Sequence, residues 1–519
     1  MAPVVSRRPT PAPLGGEVVG RRGVPVTAVP SRQQRWTGQR PPRAAAPTDD
    51  VPATALEQPP DPTSAVAAPE APTSGSGVAA GVAGGVLIAL TIISTRFGGP
   101  SLGSVFVPLG GMCLAVAAAR RIRRTRPAEA WVGRWLVLGV LVKLTAAYFR
   151  HFNFVNGYEG VGDATGYDDF GRQFAEAWSN GGSGPKLEDL RETNFIRWFT
   201  GVVYYLFGAN LLLGYFVFGL LAVVGAYLWY RATADAVPIV DKRWYLGLML
   251  FAPSIVFWPS SVGKESLMQL GIGVMAVGAS FVLRQRLSAG LAAILAGGWL
   301  VWVIRPHLLA GIAVATGFAY FVGRVRAPEH GRARAFLTRP VGIAVLGLLL
   351  VFAVTQGTKF LGIEELSVQS IEAELDEQTE RSSIGGSSFE TSGNSLSPLN
   401  LPIATVTVLF RPFPWETESG LQLLASLESA LLLVFIVVRL PSLRLALVRA
   451  RAMPYLIYCW ALAALYIIAF SSFANFGLLV RQRSLLFPAL FALLCVSPAL
   501  DRAARDRRSG SVPDLVRAE

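Results

Sequence analysis

The sequence predicts an all-α, polytopic transmembrane protein, and three observations carry this prediction. Hydrophobic residues make up 52% of the 519 positions and charged residues only 16%, whereas a soluble domain has roughly 25% charged residues. From about residue 77, apolar runs of membrane-spanning length alternate with charged connections. Every second connection is rich in Lys and Arg, as cytoplasmic loops are. The composition excludes an ordinary soluble enzyme, and three cysteines with three histidines argue against a disulfide scaffold or a Cys/His metal cluster.

Residues 1–76 are rich in Pro, Ala, Arg and Thr and have no sustained apolar periodicity. Such a segment cannot bury enough apolar surface to offset its loss of conformational entropy, so we expect a disordered cytoplasmic tail. The formal net charge of the chain is +13. Because the basic residues flank apolar runs, their expected partner is anionic membrane lipid, and no nucleic acid is expected.

Length and hydropathy predict about twelve membrane spans, of which the shortest, 244–258, is the least typical. Their approximate bounds are 77–95, 102–119, 131–149, 209–230, 244–258, 266–283, 288–304, 308–323, 340–355, 421–438, 453–471 and 484–500. The basic connections follow the even-numbered spans, which predicts that both termini are cytoplasmic. The span centres carry almost no charge, and Lys143 is expected near one end of its span.

This topology divides the chain into four parts. They are a tail over 1–76, two additional N-terminal spans over 77–128, a membrane-embedded core over 129–500 and a basic cytoplasmic tail over 501–519. Two long connections of the core, 150–208 and 356–420, face outward. Because the chain is also rich in Arg, Ala and Gly, the expected location is the plasma membrane of a bacterium with a GC-rich genome.

The first outer loop carries a cluster of carboxylates on a predicted amphipathic helix that starts near Thr165. Tyr167 contributes to the apolar face of this helix, and Asp168 and Asp169 follow it. Asp163 would precede the first turn, where the helix dipole keeps a carboxylate ionised, as a general base or a metal ligand requires. The alternative is that Asp163 is only an N-cap and that Asp168 and Asp169 form a solvated face.

Two very short outer turns carry further charged residues. Lys264 and Glu265 follow Pro259-Ser-Ser-Val-Gly at the start of a predicted helix, whose N-terminus with Lys264 could hold a phosphate. Interfacial anchoring of Lys264 is the competing interpretation. Arg305 and His307 lie between two apolar runs, where a cation needs a partner or a function. A His that only satisfies local packing is the more common outcome.

Two later segments place arginines on the outer side, against the usual charge distribution. Arg411 and Glu416 lie among prolines and aromatic residues, which favours a rigid interfacial or re-entrant segment. Arg481 and Arg483 lie in the predicted last outer turn, where an anionic lipid headgroup or a diphosphate would explain them. Carboxylates and cations at one membrane face suit sugar transfer from a lipid-phosphate donor, since a base activates the acceptor hydroxyl and cations stabilise the departing phosphate.

The chain resembles the GT-C-type membrane glycosyltransferases, which use polyprenyl-phosphate sugars. The resemblance rests on Gly162-Asp163-Ala164 with Tyr167, on the turn 259–265 and on multiple spans with outer amphipathic segments. It implies a GT-C-like fold, a polyprenyl-phosphate sugar donor, a cell-envelope glycan or lipid acceptor, and Asp163 as the catalytic base. A divalent cation assists some members, but the motif does not identify its ligands or establish a cofactor here.

Two other classes of protein compete with this interpretation. An O-antigen-polymerase-like or ligase-like protein would depend on Arg305, His307, Arg411 and Arg481, and would not need Asp163. A transporter or flippase without chemistry should carry ionisable residues near the middle of the membrane and show an inverted repeat. The sequence shows no such repeat, so transport is the least favoured of the three.

Overall fold

The computed structural model describes residues 102–157, 162–323 and 400–508, with single positions between 344 and 389. These residues are mainly helical and carry only two isolated antiparallel bridges. The α-helices, numbered in chain order, are α1 (Leu102–Thr125), α2 (Ala130–Gly157), α3 (Asp163–Ser179), α4 (Glu192–Phe207), α5 (Leu211–Ala236), α6 (Lys242–Phe251), α7 (Pro253–Phe257), α8 (Lys264–Leu283), α9 (Leu287–Ile304), α10 (Pro306–Val322), α11 (Leu401–Phe410), α12 (Gly420–Val438), α13 (Leu440–Arg449), α14 (Pro454–Phe470), α15 (Phe476–Leu494) and α16 (Pro498–Arg508).

Seven described helices are long and apolar enough to cross a membrane, or eight if one bent pair is a single span. The seven are α1, α2, α5, α8, α9, α12 and α15. An all-helical, multi-pass membrane protein is therefore confirmed, whereas the count of twelve spans stays a prediction. The predicted span 77–95 and most of 340–355 lie outside the described residues, as do the tail 1–76 and most of the connection 356–399.

Four predicted spans differ in the structure, and the last of them, 484–500, is shifted relative to α15 (Phe476–Leu494). The span 244–258 is wrong as one helix, because α6 ends at Phe251 and α7 begins at Pro253, whose ring and missing N–H interrupt a continuous helix. The span 308–323 corresponds to α10, which has only 17 residues. The span 453–471 corresponds to α14, which forms a bend of 118° with α13.

The predicted outer loop 150–208 is mostly helical. Helix α2 continues to Gly157, and α3 begins at Asp163, close to the expected start near Thr165. Helix α4 was not predicted, although its apolar residues recur at helical spacing. Further on, the predicted cytoplasmic tail 501–519 begins within α16, which ends at Arg508.

Helix α8 forms the centre of the bundle and packs closely against both α5 and α9. A Cβ atom at Gly273 would lie 2.5 Å from the carbonyl oxygen of Gly225, so the contact of α5 with α8 requires glycine there. Small residues at such contacts are typical of helix packing in membranes. Helix α15 is almost wholly buried and completes this core.

The two ends of α8 carry different charged residues and mark the two ends of the bundle. Lys264 begins α8, and Arg284 and Arg286 follow at its other end, roughly 30 Å away at 1.5 Å per residue. The extended residues Val240 and Val496 pair at the end of α15 that is remote from Arg481. The basic turns predicted to be cytoplasmic therefore lie opposite the end that carries Lys264 and Arg481.

Lys143 lies in the middle of α2, as the fourteenth residue in a helix of 28. The prediction that it lies near one end of its span was wrong, because α2 extends beyond the predicted 131–149 mainly at its C-terminus. Its buried Nζ donates hydrogen bonds to the carbonyl oxygens of Ile255 (2.8 Å) and Val256 (3.0 Å) in α7. The carbonyl of Ile255 cannot receive the usual i+4 hydrogen bond because residue 259 is proline, whereas that of Val256 also accepts from the hydroxyl of Ser260.

Candidate functional site

Glu265 is the centre of a buried ion-pair network at the N-terminus of α8. Its side chain is 1% exposed, and its Oε1 lies 3.0 Å from Nη2 of Arg305 and 2.7 Å from Nε of Arg481. Arg305 also donates a hydrogen bond to Oε1 of Gln482. The network joins the start of α8, the end of α9 and the second turn of α15, because each helix brings one charged side chain to the same place.

Asp163 lies at the outer edge of this network. Its Oδ2 is 3.2 Å from Nη1 of Arg481, and its side chain is 65% exposed. It is the first residue of α3, at the helix end where the dipole attracts negative charge. Arg481 therefore connects an accessible carboxylate, Asp163, with a buried one, Glu265.

Tyr167 lies one helical turn after Asp163 and is buried. Burial raises the pKa of Tyr167 to about 12, and the negative charges of Asp163 and Glu265 add to this effect. The phenol therefore stays protonated at neutral pH and shares a hydrogen bond with Thr193. Tyr167 thus acts as a neutral polar group beneath the accessible carboxylate.

Lys264 supplies the third cation of the network. Its Nζ lies 4.0 Å from Oε2 of Glu192, whose side chain is 43% exposed. Lys264, Arg305 and Arg481 have side chains that are only 13–19% exposed. Inside the site, three mostly buried cations therefore face one buried carboxylate, while Asp163 and Glu192 lie at its solvent-accessible edge.

The turn before α8 leaves room for a methyl-sized group beside the network. A Cβ atom at Gly263 would lie 3.4 Å from Oε2 of Glu265 and 3.9 Å from Nη2 of Arg481. That Oε2 atom is buried and has no hydrogen-bond partner in the described part of the chain. Ser266 holds the turn by donating hydrogen bonds to the carbonyl oxygens of Pro259 and Ser261. The N-terminus of α8 and the three cations together suit an anionic group.

The same turn is supported from α2. Lys143 and Arg150, seven residues apart, donate hydrogen bonds to four successive carbonyl oxygens, at residues 255–258. The guanidinium of Arg150 also lies 5.0 Å and 5.2 Å from the ring centres of Phe257 and Trp258. These contacts position the chain that leads into Gly263 and Lys264.

The remaining predicted site residues fall into three groups. His307 is partly buried at the start of α10, near Arg305 and Lys264. Asp168 is turned towards α4, where it accepts hydrogen bonds from Tyr204 (2.5 Å) and Arg172 (2.8 Å), and Asp169 is exposed. The expectation that Asp168 binds substrate is not supported by these contacts.

Arg411, Glu416 and Arg483 form a separate set. Arg411 Nη2 pairs with Oε1 of Glu416 at 2.6 Å. Arg483 is buried, and its Nη1 donates hydrogen bonds to the carbonyl oxygens of Leu409 (2.8 Å) and Arg411 (3.1 Å) and to Ser429. Arg483 therefore supports the segment after α11 rather than the network around Glu265.

Arg481 and Arg483 do not lie in an outer turn, as the sequence predicted, but inside α15, which begins at Phe476. The predicted span began at 484 because two arginines interrupted the apolar pattern. Arg481 pairs with the carboxylate of Glu265, and Nη1 of Arg483 donates hydrogen bonds to carbonyl oxygens, which lowers the cost of keeping both residues inside the helix. Because residues two apart on a helix point in different directions, Arg481 and Arg483 contact different neighbours.

Sequence reasoning missed Gln482, Glu192 and the support from Lys143 and Arg150. A glutamine between two arginines is a weak signal, and Glu192 lay in a segment expected to be a loop. In the described residues, no group of three or more His, Cys, Asp or Glu side chains could hold a metal ion. A divalent cation therefore stays a prediction from the family resemblance.

Comparisons of the chain with protein-family models, curated proteins and solved structures gave no match.

Proposed function

We propose that the protein is a membrane glycosyltransferase that moves a sugar from a polyprenyl-phosphate donor to a glycan or lipid acceptor at the outer face of a bacterial plasma membrane. One observation carries the proposal. Asp163, the residue favoured as base from sequence, contacts Arg481, which shares the carboxylate of Glu265 with Arg305. Lys264 precedes Glu265 and pairs with Glu192. A base and a set of phosphate-binding cations therefore adjoin at one end of the bundle.

In this mechanism Asp163 acts on the acceptor. Its accessible carboxylate accepts the proton of an acceptor hydroxyl as that oxygen attacks the anomeric carbon of the sugar. The bond between that carbon and the donor phosphate oxygen breaks, and its electron pair leaves with the lipid phosphate. Attack opposite the departing phosphate inverts the anomeric configuration. Arg481 fixes the orientation of Asp163 through the 3.2 Å contact.

Lys264, Arg305 and Arg481 act on the donor. Negative charge grows on the departing phosphate, and preorganised cations in a mostly buried site stabilise it more strongly than water does. Glu265 holds Arg305 and Arg481 in place, because both guanidinium groups contact its Oε1. We place a phosphate oxygen beside Gly263, where a Cβ atom would meet its neighbours at ordinary contact distances.

The experiment is a transfer assay with purified protein in lipid vesicles. Radiolabelled polyprenyl-phosphate sugars serve as donors and a bacterial envelope glycan fraction as acceptor. The proposal predicts a labelled product with the intact chain and at least a tenfold loss for Arg305→Gln and Arg481→Gln, each with its stability measured. Absence of transfer from every donor, with folded protein and authenticated substrates, would contradict it.

Transport is a second candidate, and Lys143 favours it. A buried cation in the middle of a spanning helix and a helix broken at Ala252–Pro253 are features of transporter binding sites. The two candidates differ in their products, because transport moves a labelled lipid between membrane leaflets without changing it. The assay therefore also follows labelled substrate across the vesicle membrane.

A further inference from the structure

A groove between α1, α2 and α5 lies away from the site around Glu265. Its volume is about 700 Å³, and its walls are mainly apolar. Gly111, Leu114 and Ala118 line it from α1, at the spacing of one helical face, and Leu220 and Val224 line it from α5. Leu114 and Val224 are exposed, so within a membrane the groove opens towards lipid.

One end of the groove carries three arginines. Arg121 comes from the last turn of α1, Arg126 from the connection to α2, and Arg231 from the last turns of α5. The other end is apolar, since a Cβ atom at Gly111 would lie 2.7 Å from the side chain of Leu220. The lining therefore changes from hydrocarbon-like to cationic along the axis of α1.

The carboxylates nearby do not neutralise the cationic end. Glu129 is shared by Arg126 (3.6 Å), Arg231 (3.8 Å) and Lys242 (2.7 Å), and Asp235 pairs with Arg231 at 3.1 Å. Together with Arg121, the end of the groove therefore has four cations and only two carboxylates, Glu129 and Asp235. The excess positive charge at the mouth of an apolar groove complements a molecule with an anionic head and an apolar chain.

The dimensions and position fit a membrane lipid. From Gly111 to Thr125 the groove follows α1 for roughly 21 Å at 1.5 Å per residue, which exceeds the ~15 Å of hydrocarbon in one leaflet. Lys242, which shares Glu129, begins α6 beside Val240 and Asp241, at the end of the bundle opposite the site. The positive-inside rule predicts that this end is cytoplasmic.

We propose that this groove binds an anionic glycerophospholipid of the cytoplasmic leaflet, with the headgroup phosphate on Arg121, Arg126 and Arg231 and an acyl chain between α1 and α5. Basic pockets between membrane helices on the cytoplasmic side are suited to such headgroups. The two regions lie at opposite ends of the bundle, so this lipid is distinct from the proposed sugar donor.

Native mass spectrometry of the purified full chain tests the proposal. The protein is incubated with equal amounts of phosphatidylglycerol and phosphatidylcholine of identical acyl chains, and the retained lipid is counted. We expect preferential retention of phosphatidylglycerol and a loss of about tenfold in Arg121→Gln/Arg126→Gln, since each cation near a headgroup contributes appreciably. Val224→Trp, which fills the apolar part, should reduce retention of both lipids.

Arg120→Gln/Arg124→Gln is the matched control, because it removes two charges from the same helix end without altering the lining of the groove. This variant should retain phosphatidylglycerol within about twofold of the unaltered chain, because neither Arg120 nor Arg124 lines the groove. Equal losses in both double variants would overturn the proposal in favour of unspecific attraction. Unchanged retention in Arg121→Gln/Arg126→Gln, or no preference between the lipids, would also overturn it. Thermal unfolding confirms that each variant is folded.

Discussion

Asp163 and Arg481 are 318 residues apart in the chain, yet their side chains form an ion pair of 3.2 Å. The pair joins the first residue of an amphipathic helix to the second turn of a buried membrane helix. Through Arg481 the accessible carboxylate is connected to Glu265 and Arg305. This relationship gives the proposed base a fixed position beside the proposed phosphate site.

Replacing Glu265 by Gln should destabilise the protein strongly. The change keeps the side-chain volume but leaves the guanidinium groups of Arg305 and Arg481 together without their shared carboxylate. Breaking a buried ion pair by removing one partner costs about 3–5 kcal/mol. Thermal unfolding of the purified variant in detergent measures this effect.

Glu192→Gln is the control for that variant. Its carboxylate is 43% exposed and lies 4.0 Å from Lys264, so its loss should cost less than about 1 kcal/mol. Equal stability of the Glu265→Gln variant and the unaltered chain would show that Glu265 does not hold the network together.

Gly263→Val should weaken donor binding more than turnover. A Cβ atom at this position already comes within 3.4 Å of Glu265 Oε2, and the two further methyl groups would occupy the space proposed for a phosphate oxygen. We expect the KM for the donor to rise about tenfold or more, which corresponds to ~1.4 kcal/mol. Steady-state transfer kinetics at varied donor concentration provide the measurement.

Gly166→Ala is a matched variant, because nothing lies within 4 Å of a Cβ atom at that helical position. It should leave KM unchanged and raise stability by roughly 0.5–1 kcal/mol. A normal KM in Gly263→Val would argue against the placement of the phosphate beside this glycine.

Lys143→Met should loosen the turn that leads into α8. The substitution retains an unbranched apolar stem but removes the donor to the carbonyl oxygens of Ile255 and Val256. Val256 keeps the Ser260 hydroxyl as a donor, but the carbonyl oxygen of Ile255 loses its donor, and leaving a buried acceptor unsatisfied costs about 1–3 kcal/mol. Thermal unfolding gives the stability, and a transfer assay with simultaneous detection of lipid movement gives the activity.

The glycosyltransferase proposal predicts that Lys143→Met lowers transfer roughly in parallel with stability. Loss of lipid movement without any effect on stability would instead favour transport through the middle of the membrane. Thr145→Val serves as a control, since its hydroxyl only donates to Leu141 within the same helix.

Arg411→Gln and Glu416→Gln should behave alike. The two side chains pair with each other at 2.6 Å and are outside the network around Glu265. Each variant should lose about 1 kcal/mol of stability and retain transfer activity within about threefold. Shortened polysaccharide chains in Arg411→Gln at normal stability would favour the polymerase or ligase alternative. Gel analysis of product length distinguishes these outcomes.

The sequence predicted the membrane architecture well where one physical signal dominated. Long apolar helices such as α5 and α9 agree with their predicted spans because hydropathy alone determines them. The start of α3 also agrees within two residues. By contrast, the predicted span 484–500 begins later than α15, which starts at Phe476. The energetic cost of placing Arg481 and Arg483 inside the helix is offset by partners that are distant in the chain.

Contacts between residues that are distant in the chain also limit what could be predicted of the site. The sequence singled out Asp163, Glu265, Arg305 and Arg481, whose unusual polarity is visible locally. It could not separate Arg483 from Arg481, since only the direction of each side chain on α15 decides its neighbours. Nor could it reveal that Lys143 and Arg150 support the turn before Gly263, a contact between α2 and α7.

The most direct measurement is single-turnover sugar transfer by Asp163→Asn beside Asp169→Asn, with donor binding measured on both. The two carboxylates lie on one helix and are both exposed, but only Asp163 contacts Arg481. We expect Asp163→Asn to bind donor normally and to lose roughly 10²–10⁴-fold in the rate of transfer, the contribution of a general base. Asp169→Asn should transfer at the normal rate. Equal transfer rates in Asp163→Asn and the unaltered chain would contradict the account.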